Sequence, residues 1–191
     1  VEAARRRFAG DPRVRVELRD ILRLEGEEPV DVIFSTATFH WIMDHERLFD
    51  HLARLLRPGG RLVAQCGGEG NVARTLAVAE RVMSEDRFRG AFAGWEEGWY
   101  FADPETTKKR LEAAGFEEVE TWLHDEFTEF CSVERLTRFL RTAVLKHHLS
   151  FLPEAKRDPF AEAVAARLAE GGPLAVDYVR LNMLATRSGA A

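Results

Sequence analysis

The sequence has few cysteines, no long apolar run and no excess of positive charge. Its 191 residues contain two cysteines, Cys66 and Cys131, without a CxxC pair, so no disulfide framework is expected and a reducing, cytoplasmic location is favoured. The longest apolar runs, at 32–34 and 62–64, are too short to cross a membrane. Lys and Arg number 27 against 32 Asp and Glu, a net charge of −5, so neither nucleic acid nor a membrane is the expected partner.

The overall composition is that of a folded domain. Hydrophobic residues make up 46% of the chain and charged residues 31%, which is too apolar for a disordered protein. A chain of 191 residues is also long enough to bury a substantial core. We therefore expect one globular domain over residues 1–191, with or without a small subdomain.

Strand and helix patterns alternate along the first half of the chain. Val and Leu alternate with charged residues at 14–18, which predicts a half-buried strand. After a loop at 25–29, the β-branched run at 30–34 is typical of a strand covered on both faces. Apolar residues at three- and four-residue spacing predict a helix over 44–57, and a Pro-Gly-Gly phrase separates it from a strand at 61–66.

The second half continues in the same way. Asp103-Pro104 and Asp158-Pro159 are typical helix starts, because aspartate caps a helix and proline suits its first turn. The patterns predict helices at 71–85, 103–114, 132–149 and 158–171, and strands at 116–126 and 176–186. Alternation with short Pro/Gly connections indicates an α/β fold with a largely parallel sheet.

Sheets of this kind bind ligands beyond the carboxyl ends of their strands. Asp20 follows the first predicted strand, where its carboxylate can accept a hydrogen bond from an exocyclic amine such as that of adenine. Ser35 and Thr36 follow the second predicted strand, where small residues let a ligand approach the backbone. His40-Trp41 adds two aromatic rings that can pack against a ligand and also form hydrogen bonds. The alternatives are a solvated or capping Asp20 and a His-Trp pair that serves packing alone.

In this order, these phrases resemble the class I S-adenosylmethionine-dependent methyltransferases. The resemblance rests on the strand ending in Asp20-Ile21, the run at 30–35 followed by His40-Trp41, and the Leu-Arg-Pro-Gly-Gly-Arg-Leu phrase at 56–62. A Pro-Glu phrase that ends in Leu-Glu-Ala-Ala-Gly-Phe at 116 supports it. His40-Trp41 and the phrase at 177–181 resemble the trans-aconitate methyltransferase branch in particular.

The resemblance implies a Rossmann-like three-layer α/β/α methyltransferase fold, a mostly parallel sheet with an antiparallel last strand, and helical cap elements. It also implies S-adenosyl-L-methionine as cofactor and in-line displacement of its methyl group to a small-molecule acceptor, a carboxylate or a hydroxyl. Since a hydroxyl must lose a proton, His40 is the candidate catalytic base. The cofactor-binding residues that it implies are Asp20 and Ile21 at the adenine, Ser35 and Thr36 along the methionine arm, and Trp41 near the sulfonium.

The acceptor side is expected in the aromatic stretch and the late helices, so segments 70–102 and 127–172 are candidate cap elements. The candidate substrate-binding residues are Trp95, Trp99, Tyr100 and Arg141. The alternatives are a core internal to a lid for the aromatic residues and a solvated helix face for the arginine. No metal site is expected, because adjacent histidines such as His147-His148 point about 100° apart on a helix and no third ligand is evident.

One part of the family pattern has no counterpart in this sequence. The family's glycine-rich turn after its first strand, and the acidic residue that binds the ribose, both normally precede the helix that ends near Phe8. We therefore expect about 60–80 further residues upstream of Val1, the length of two βα units, to complete the sheet and the cofactor site. Without them, cofactor binding should fail.

Two other classes of function share the strand alternation. A non-catalytic α/β domain that binds a ligand or a partner is the main alternative. A nicotinamide-dependent oxidoreductase is the other, and it ranks last because no Tyr-x-x-x-Lys pair is found. The oligomeric state and the identity of the acceptor cannot be read from the sequence.

Overall fold

The fold is built on a four-stranded sheet. A computed structural model describes residues 1–25 and 28–189, and the tip of the loop predicted at 25–29 lies outside the described residues. The sheet has the order β1-β2-β4-β3, with β1 at Val30–Thr36, β2 at Leu56–Gly67, β3 at Phe116–Glu129 and β4 at Ala175–Arg187. β1 and β2 are parallel, and β4 is antiparallel to both β2 and β3. Three strands therefore share one direction and the last is reversed, which confirms the prediction.

Seven α-helices accompany this sheet in the described part of the chain. They are α1 (Glu2–Arg7), α2 (His45–Leu55), α3 (Ala73–Met83), α4 (Pro104–Ala113), α5 (Val133–Thr142), α6 (Lys146–Phe151) and α7 (Glu154–Glu170). Asp44 and Asp103 cap α2 and α4 by accepting backbone N–H groups at 2.9 and 2.8 Å. None of the described helices is both long enough and apolar enough to span a membrane.

The predicted helices at 132–149 and 158–171 have different bounds in the structure. The first is two helices, α5 and α6, because the Thr142 hydroxyl donates to the carbonyls of Arg138 and Phe139 and the chain then leaves helical geometry. α7 begins at Glu154, so Pro159 lies inside the helix rather than at its start.

Two apolar clusters hold the elements together. One joins α2 and α4 to a single face of the sheet, and its fully buried members include Leu48, Leu52, Leu62, Leu111 and Met183. The other joins α3, α5 and α7 beyond the carboxyl ends of β1 and β2, and its fully buried members include Val82, Leu136, Leu140, Phe160 and Val164. This second cluster consists mainly of residues from the predicted cap segments.

The opposite face of the sheet has no helix layer among the described residues. Phe34 is 72% exposed there, and Val32 and Trp122 are 54% and 43% exposed. The Rossmann-like α/β order is confirmed, but the described residues supply two layers and a helical cluster rather than three layers. The reason is that the residues before β1 form the short helix α1 and an irregular segment instead of a βα unit.

The strand predicted at 14–18 is wrong. These residues belong to no sheet in the part of the chain that the structure describes. The carbonyl of Val16 accepts from the Arg5 side chain at 3.1 Å instead of from a neighbouring strand. Alternation of apolar and charged residues determines which face of a strand can be buried. A strand also needs a neighbouring strand to hydrogen-bond its backbone N–H and C=O groups.

Candidate functional site

A cavity of about 280 Å³ lies where β1 and β2 end, between the sheet and the helical cluster. Twelve residues line it, and most are apolar or aromatic. They are Ala37, His40, Trp41, Asn71, Val72, Leu76, Trp99, Phe101, Ala143, Val144, Tyr178 and Arg180. The size and lining suit a small organic molecule held by a few polar groups.

Strained backbone marks both strand ends at this cavity. Ala37 follows β1 with φ of 53°, and Val72 follows β2 with φ of 51°, although the left-handed region is unfavourable for a β-branched residue. Backbone hydrogen bonds hold both, from Ala37 N–H to the Gln65 carbonyl and from Val72 N–H to the Asp177 carbonyl, each at 2.8 Å. Such strain persists only where the surroundings enforce it, and it concentrates at functional sites.

His40 is buried in the wall of the cavity, and one hydrogen bond determines which ring nitrogen carries the proton. The Gly67 backbone N–H donates to His40 Nδ1 at 3.1 Å, so Nδ1 carries no hydrogen and the neutral ring is protonated at Nε2. Burial, and then the nearby Arg180 charge, lower the pKa of His40 to about 4. At neutral pH this histidine is therefore an N–H donor. This geometry disfavours the predicted role of His40 as a base.

Aromatic rings form the rest of the wall. Trp41 lies edge-on to Trp99 with ring centroids 6.5 Å apart, and Trp99 stacks on Phe101 at 6.0 Å. Trp95 lies behind Trp99 and stacks on His148 at 4.5 Å, away from the lining. Of the three predicted aromatic substrate residues, the structure places Trp99 in the cavity and Trp95 in the layer behind it.

The other two predicted substrate residues lie elsewhere. The Tyr100 hydroxyl accepts from Arg110 Nη1 at 2.9 Å and its ring packs on His45, so Tyr100 belongs to the α2–α4 cluster. Arg141 pairs with Asp158 at 2.8 Å on a separate surface groove between α5 and α7. Neither residue lines the cavity.

The five residues predicted to bind the cofactor do not share one cavity. Trp41 lines the cavity described above. The Asp20 carboxylate caps a short 3-10 helix by accepting from Leu22 N–H at 3.0 Å, and Ile21 lines a neighbouring groove of about 490 Å³. The remaining two, Ser35 and Thr36, line a third groove of about 410 Å³ over β1 and β2.

Two polar lining residues were missed at the sequence level. Arg180 donates from Nε to Glu126 at 2.8 Å, and its guanidinium carbon lies 3.9 Å from the centre of the Tyr178 ring. Asn71 is 5% exposed, and its Oδ1 accepts from Val179 N–H at 3.0 Å. The signal for Arg180 was its place in the phrase at 177–181 that resembles the trans-aconitate methyltransferase branch. Asn71 gave no signal before the turn after β2 was known.

The described residues contain no group of three or more His, Cys, Asp or Glu side chains that could hold a metal ion. The polar groups that line the cavity include the hydrogen-bond donors His40 and Asn71 and the cation Arg180, beside the aromatic rings.

Several curated proteins similar to this chain are named methyltransferases. Residues 1–64 match the methyltransferase domain family. The trans-aconitate 2-methyltransferase of Klebsiella pneumoniae is 30% identical over 158 residues, which cover 81% of this chain and 58% of that protein. The enzyme of the same name from Sinorhizobium medicae is 26% identical over 195 residues, covering 98% of this chain and 74% of that protein. The chain thus spans between about half and three quarters of the length of these relatives.

A solved structure agrees at the level of the fold. The YcgJ protein of Bacillus subtilis superimposes with a TM-score of 0.57 at 12% identity, covering 98% of this chain and 77% of that protein. At this identity the likeness concerns the chain path alone. It supports the α/β order described above.

Proposed function

We propose that the chain is a class I S-adenosylmethionine-dependent methyltransferase, and that it transfers a methyl group to a small molecule bound in the cavity beside His40. One observation carries the proposal. A small, mostly apolar cavity lies at the carboxyl ends of two parallel strands, and its polar groups converge from three different elements. Sheets of this class place ligands at such an edge.

S-adenosyl-L-methionine, when bound, supplies an electrophilic methyl group on a sulfonium cation. The Trp41 ring, which is 46% exposed at the cavity, suits a cation because aromatic faces attract positive charge. Asp20 keeps an exposed carboxylate, which can accept from an adenine amine while it caps its helix. We keep Ile21, Ser35 and Thr36 as cofactor residues in this proposal, on the support of the family pattern alone.

The state of His40 selects the acceptor class. A hydroxyl acceptor needs a base, and His40 offers an N–H at Nε2 with its Nδ1 already occupied by the Gly67 amide. A carboxylate acceptor is already ionised at neutral pH and needs no base. His40 would then donate a hydrogen bond to an acceptor oxygen and orient it, which fits a carboxylate methyltransferase. Orientation of this kind can supply about 7–11 kcal/mol of the barrier.

The helical cluster of α3, α5 and α7 closes the other side of the cavity through Leu76, Ala143 and Val144. We propose that segments 70–102 and 127–172 act as the cap over the acceptor. We also propose a cytoplasmic location, since Cys66 and Cys131 are both unpaired.

The proposal is tested by offering the purified protein S-adenosylmethionine with a panel of carboxylic acids that includes trans-aconitate, the compound in the relatives' names. Mass spectrometry should detect a methyl ester and an equal amount of S-adenosylhomocysteine. Trp99→Ala should reduce turnover at least tenfold, because Trp99 is buried in the cavity wall. Phe127→Ala is the matched control, since Phe127 is an exposed aromatic residue on β3 that lines none of the three grooves named above.

A non-catalytic binding domain is the second candidate. Four of the five predicted cofactor residues are spread over three separate grooves and Asp20 lines none of the three, which favours this candidate. Binding of a carboxylic acid without any ester or S-adenosylhomocysteine, across the whole panel, would establish it instead.

A further inference from the structure

Arg180 is held rigidly at the cavity with one edge of its guanidinium unoccupied. It lies on β4 opposite Gly67, the residue whose amide binds His40. The half-exposed Glu126 carboxylate accepts a hydrogen bond from Arg180 Nε, and the Tyr178 ring packs against the flat face of the guanidinium. The Nη atoms make no hydrogen bond within the described residues, so the fork that best fits a carboxylate is free.

A second donor lies beside this fork. Asn71 is buried, and because its Oδ1 accepts from Val179 N–H, its Nδ2 is the end left to donate. Nδ2 has no hydrogen-bond partner in the described part of the chain. A methyl group on Gly67 would come within 2.6 Å of this atom, so the glycine is what lets the Asn71 amide approach the strand end.

The rest of the lining limits how much charge the cavity can take. Among the described lining residues Arg180 alone is charged at neutral pH, because His40 stays neutral. Nine of the twelve lining residues are aliphatic or aromatic. One carboxylate can pair with Arg180, but a second or third would meet no further cation among the described lining residues, and burying an unpaired charge is costly.

We propose that Arg180 is the specificity-determining anchor of the acceptor, and that the acceptor is a monocarboxylate with a flat apolar body rather than a di- or tricarboxylate. This inference rests on the proposed function, which it deepens. The carboxylate binds the Nη fork of Arg180 and the Asn71 amide, and the apolar body stacks among Trp41, Trp99 and Phe101.

The test measures binding by calorimetry with three probes of similar size. They are 2-naphthoate, the uncharged 2-naphthalenemethanol, and the trianion benzene-1,3,5-tricarboxylate. The naphthoate should bind at least tenfold more tightly than either of the others. Arg180→Met should weaken naphthoate binding about 10- to 100-fold and leave the alcohol unchanged, because charge-assisted hydrogen bonds are lost while the apolar wall remains.

Arg61→Met is the matched control, since Arg61 is an exposed arginine on the adjacent strand β2 and lines none of the cavity. It should bind all three probes like the wild type. Thermal unfolding of both variants checks that they are folded, and Arg180→Lys, which keeps the charge but loses the fork, should give intermediate affinity and replaces the Met variant if that variant unfolds. Tighter binding of the trianion, or naphthoate binding that no Arg180 variant changes, would overturn the proposal.

The outcome separates this inference from the proposed function. If naphthoate binding depends on Arg180 but no carboxylic acid is ever methylated, the anion anchor stands and the methyltransferase proposal fails. If esters form from polycarboxylates with equal efficiency in Arg180→Met, the methyltransferase proposal stands and the anchor fails.

Discussion

The hydrogen bond from the Gly67 amide to His40 sets the chemistry available to this histidine. With Nδ1 accepting from the backbone, Nε2 keeps its hydrogen and can only donate while the ring is neutral. Burial and the Arg180 charge hold the pKa of His40 at about 4, so it stays neutral throughout the physiological range. His40 is therefore expected to position an acceptor oxygen rather than to remove a proton.

This role predicts a flat pH profile. Between pH 6 and 8, kcat/KM of the wild type should show no limb from a histidine, because the ring does not change its charge there. His40→Gln, which can still donate from its amide, should keep kcat/KM within about tenfold, and His40→Ala should lose roughly 10- to 100-fold, as expected for a lost hydrogen bond to a charged group. If kcat/KM of the wild type instead fell with pH near the ordinary histidine pKa, and this fall were absent in both variants, His40 would be a catalytic base.

At single positions, the sequence predicted where some of the candidate residues lie, while their roles stay predictions. His40 and Trp41 were correctly expected to lie together after a parallel strand, because strand ends point to one edge of the sheet. Arg141 and Arg180 show the limit of that reasoning. Both are arginines near aromatic residues in the sequence, but only the antiparallel return of β4 brings Arg180 to the cavity, while the bend between α5 and α6 leaves Arg141 beside Asp158.

Among the elements, one of the two predicted helix starts is correct: α7 begins at Glu154 rather than at Asp158, but Asp103 caps α4 as expected. A side chain that satisfies a free N–H acts locally and needs no tertiary contact. The strand at 14–18 failed for the opposite reason. Its stability depends on a partner strand, and alternation alone carries no information about whether one is present.

The cap of α4 gives a prediction at this scale. Asp103→Ala should lower the free energy of unfolding by about 1 kcal/mol, because the Thr106 N–H loses its acceptor at the start of the helix. Urea unfolding at pH 7 measures it. Asp103→Ser keeps an acceptor and should recover most of the loss, while Asp125→Ala, at an exposed site on β3, should change stability by less than about 0.5 kcal/mol. Equal losses in all three variants would contradict the capping role.

For the whole molecule, the buried histidines link folding to pH. His148 is 2% exposed in the cluster of α3, α5 and α7, where it stacks on Trp95 and leaves Nδ1 without a hydrogen-bond partner. Burial, and then the neighbouring His147, lower the pKa of His148 to about 4, the same value as for His40. Both side chains are therefore buried in neutral form, in two different parts of the molecule.

The sign of the pH dependence follows from these values. In the unfolded chain these histidines become protonated below their ordinary pKa of 6.5, whereas in the folded chain they stay neutral down to about pH 4. The free energy of unfolding therefore falls as the pH falls from 6.5 to about 4. Each histidine contributes up to about 3 kcal/mol. Carboxylates held by hydrogen bonds, such as Asp103, have lowered pKa values and act with the same sign at lower pH.

We therefore expect urea unfolding to show a loss of several kcal/mol between pH 7 and pH 4.5, well before most carboxylates are protonated. Burial also lowers the pKa of His45, so His148→Leu removes one of three such groups together with its unpaired Nδ1. It should keep the stability at pH 7 within about 1 kcal/mol and reduce the loss by roughly a third to a half. His124→Gln is the matched control, because His124 lies exposed on β3 and its replacement should leave the pH dependence unchanged. An unchanged slope in His148→Leu would show that the folded state accepts the proton on this ring without cost, and acid sensitivity would then have to come from His40, His45 and the carboxylates.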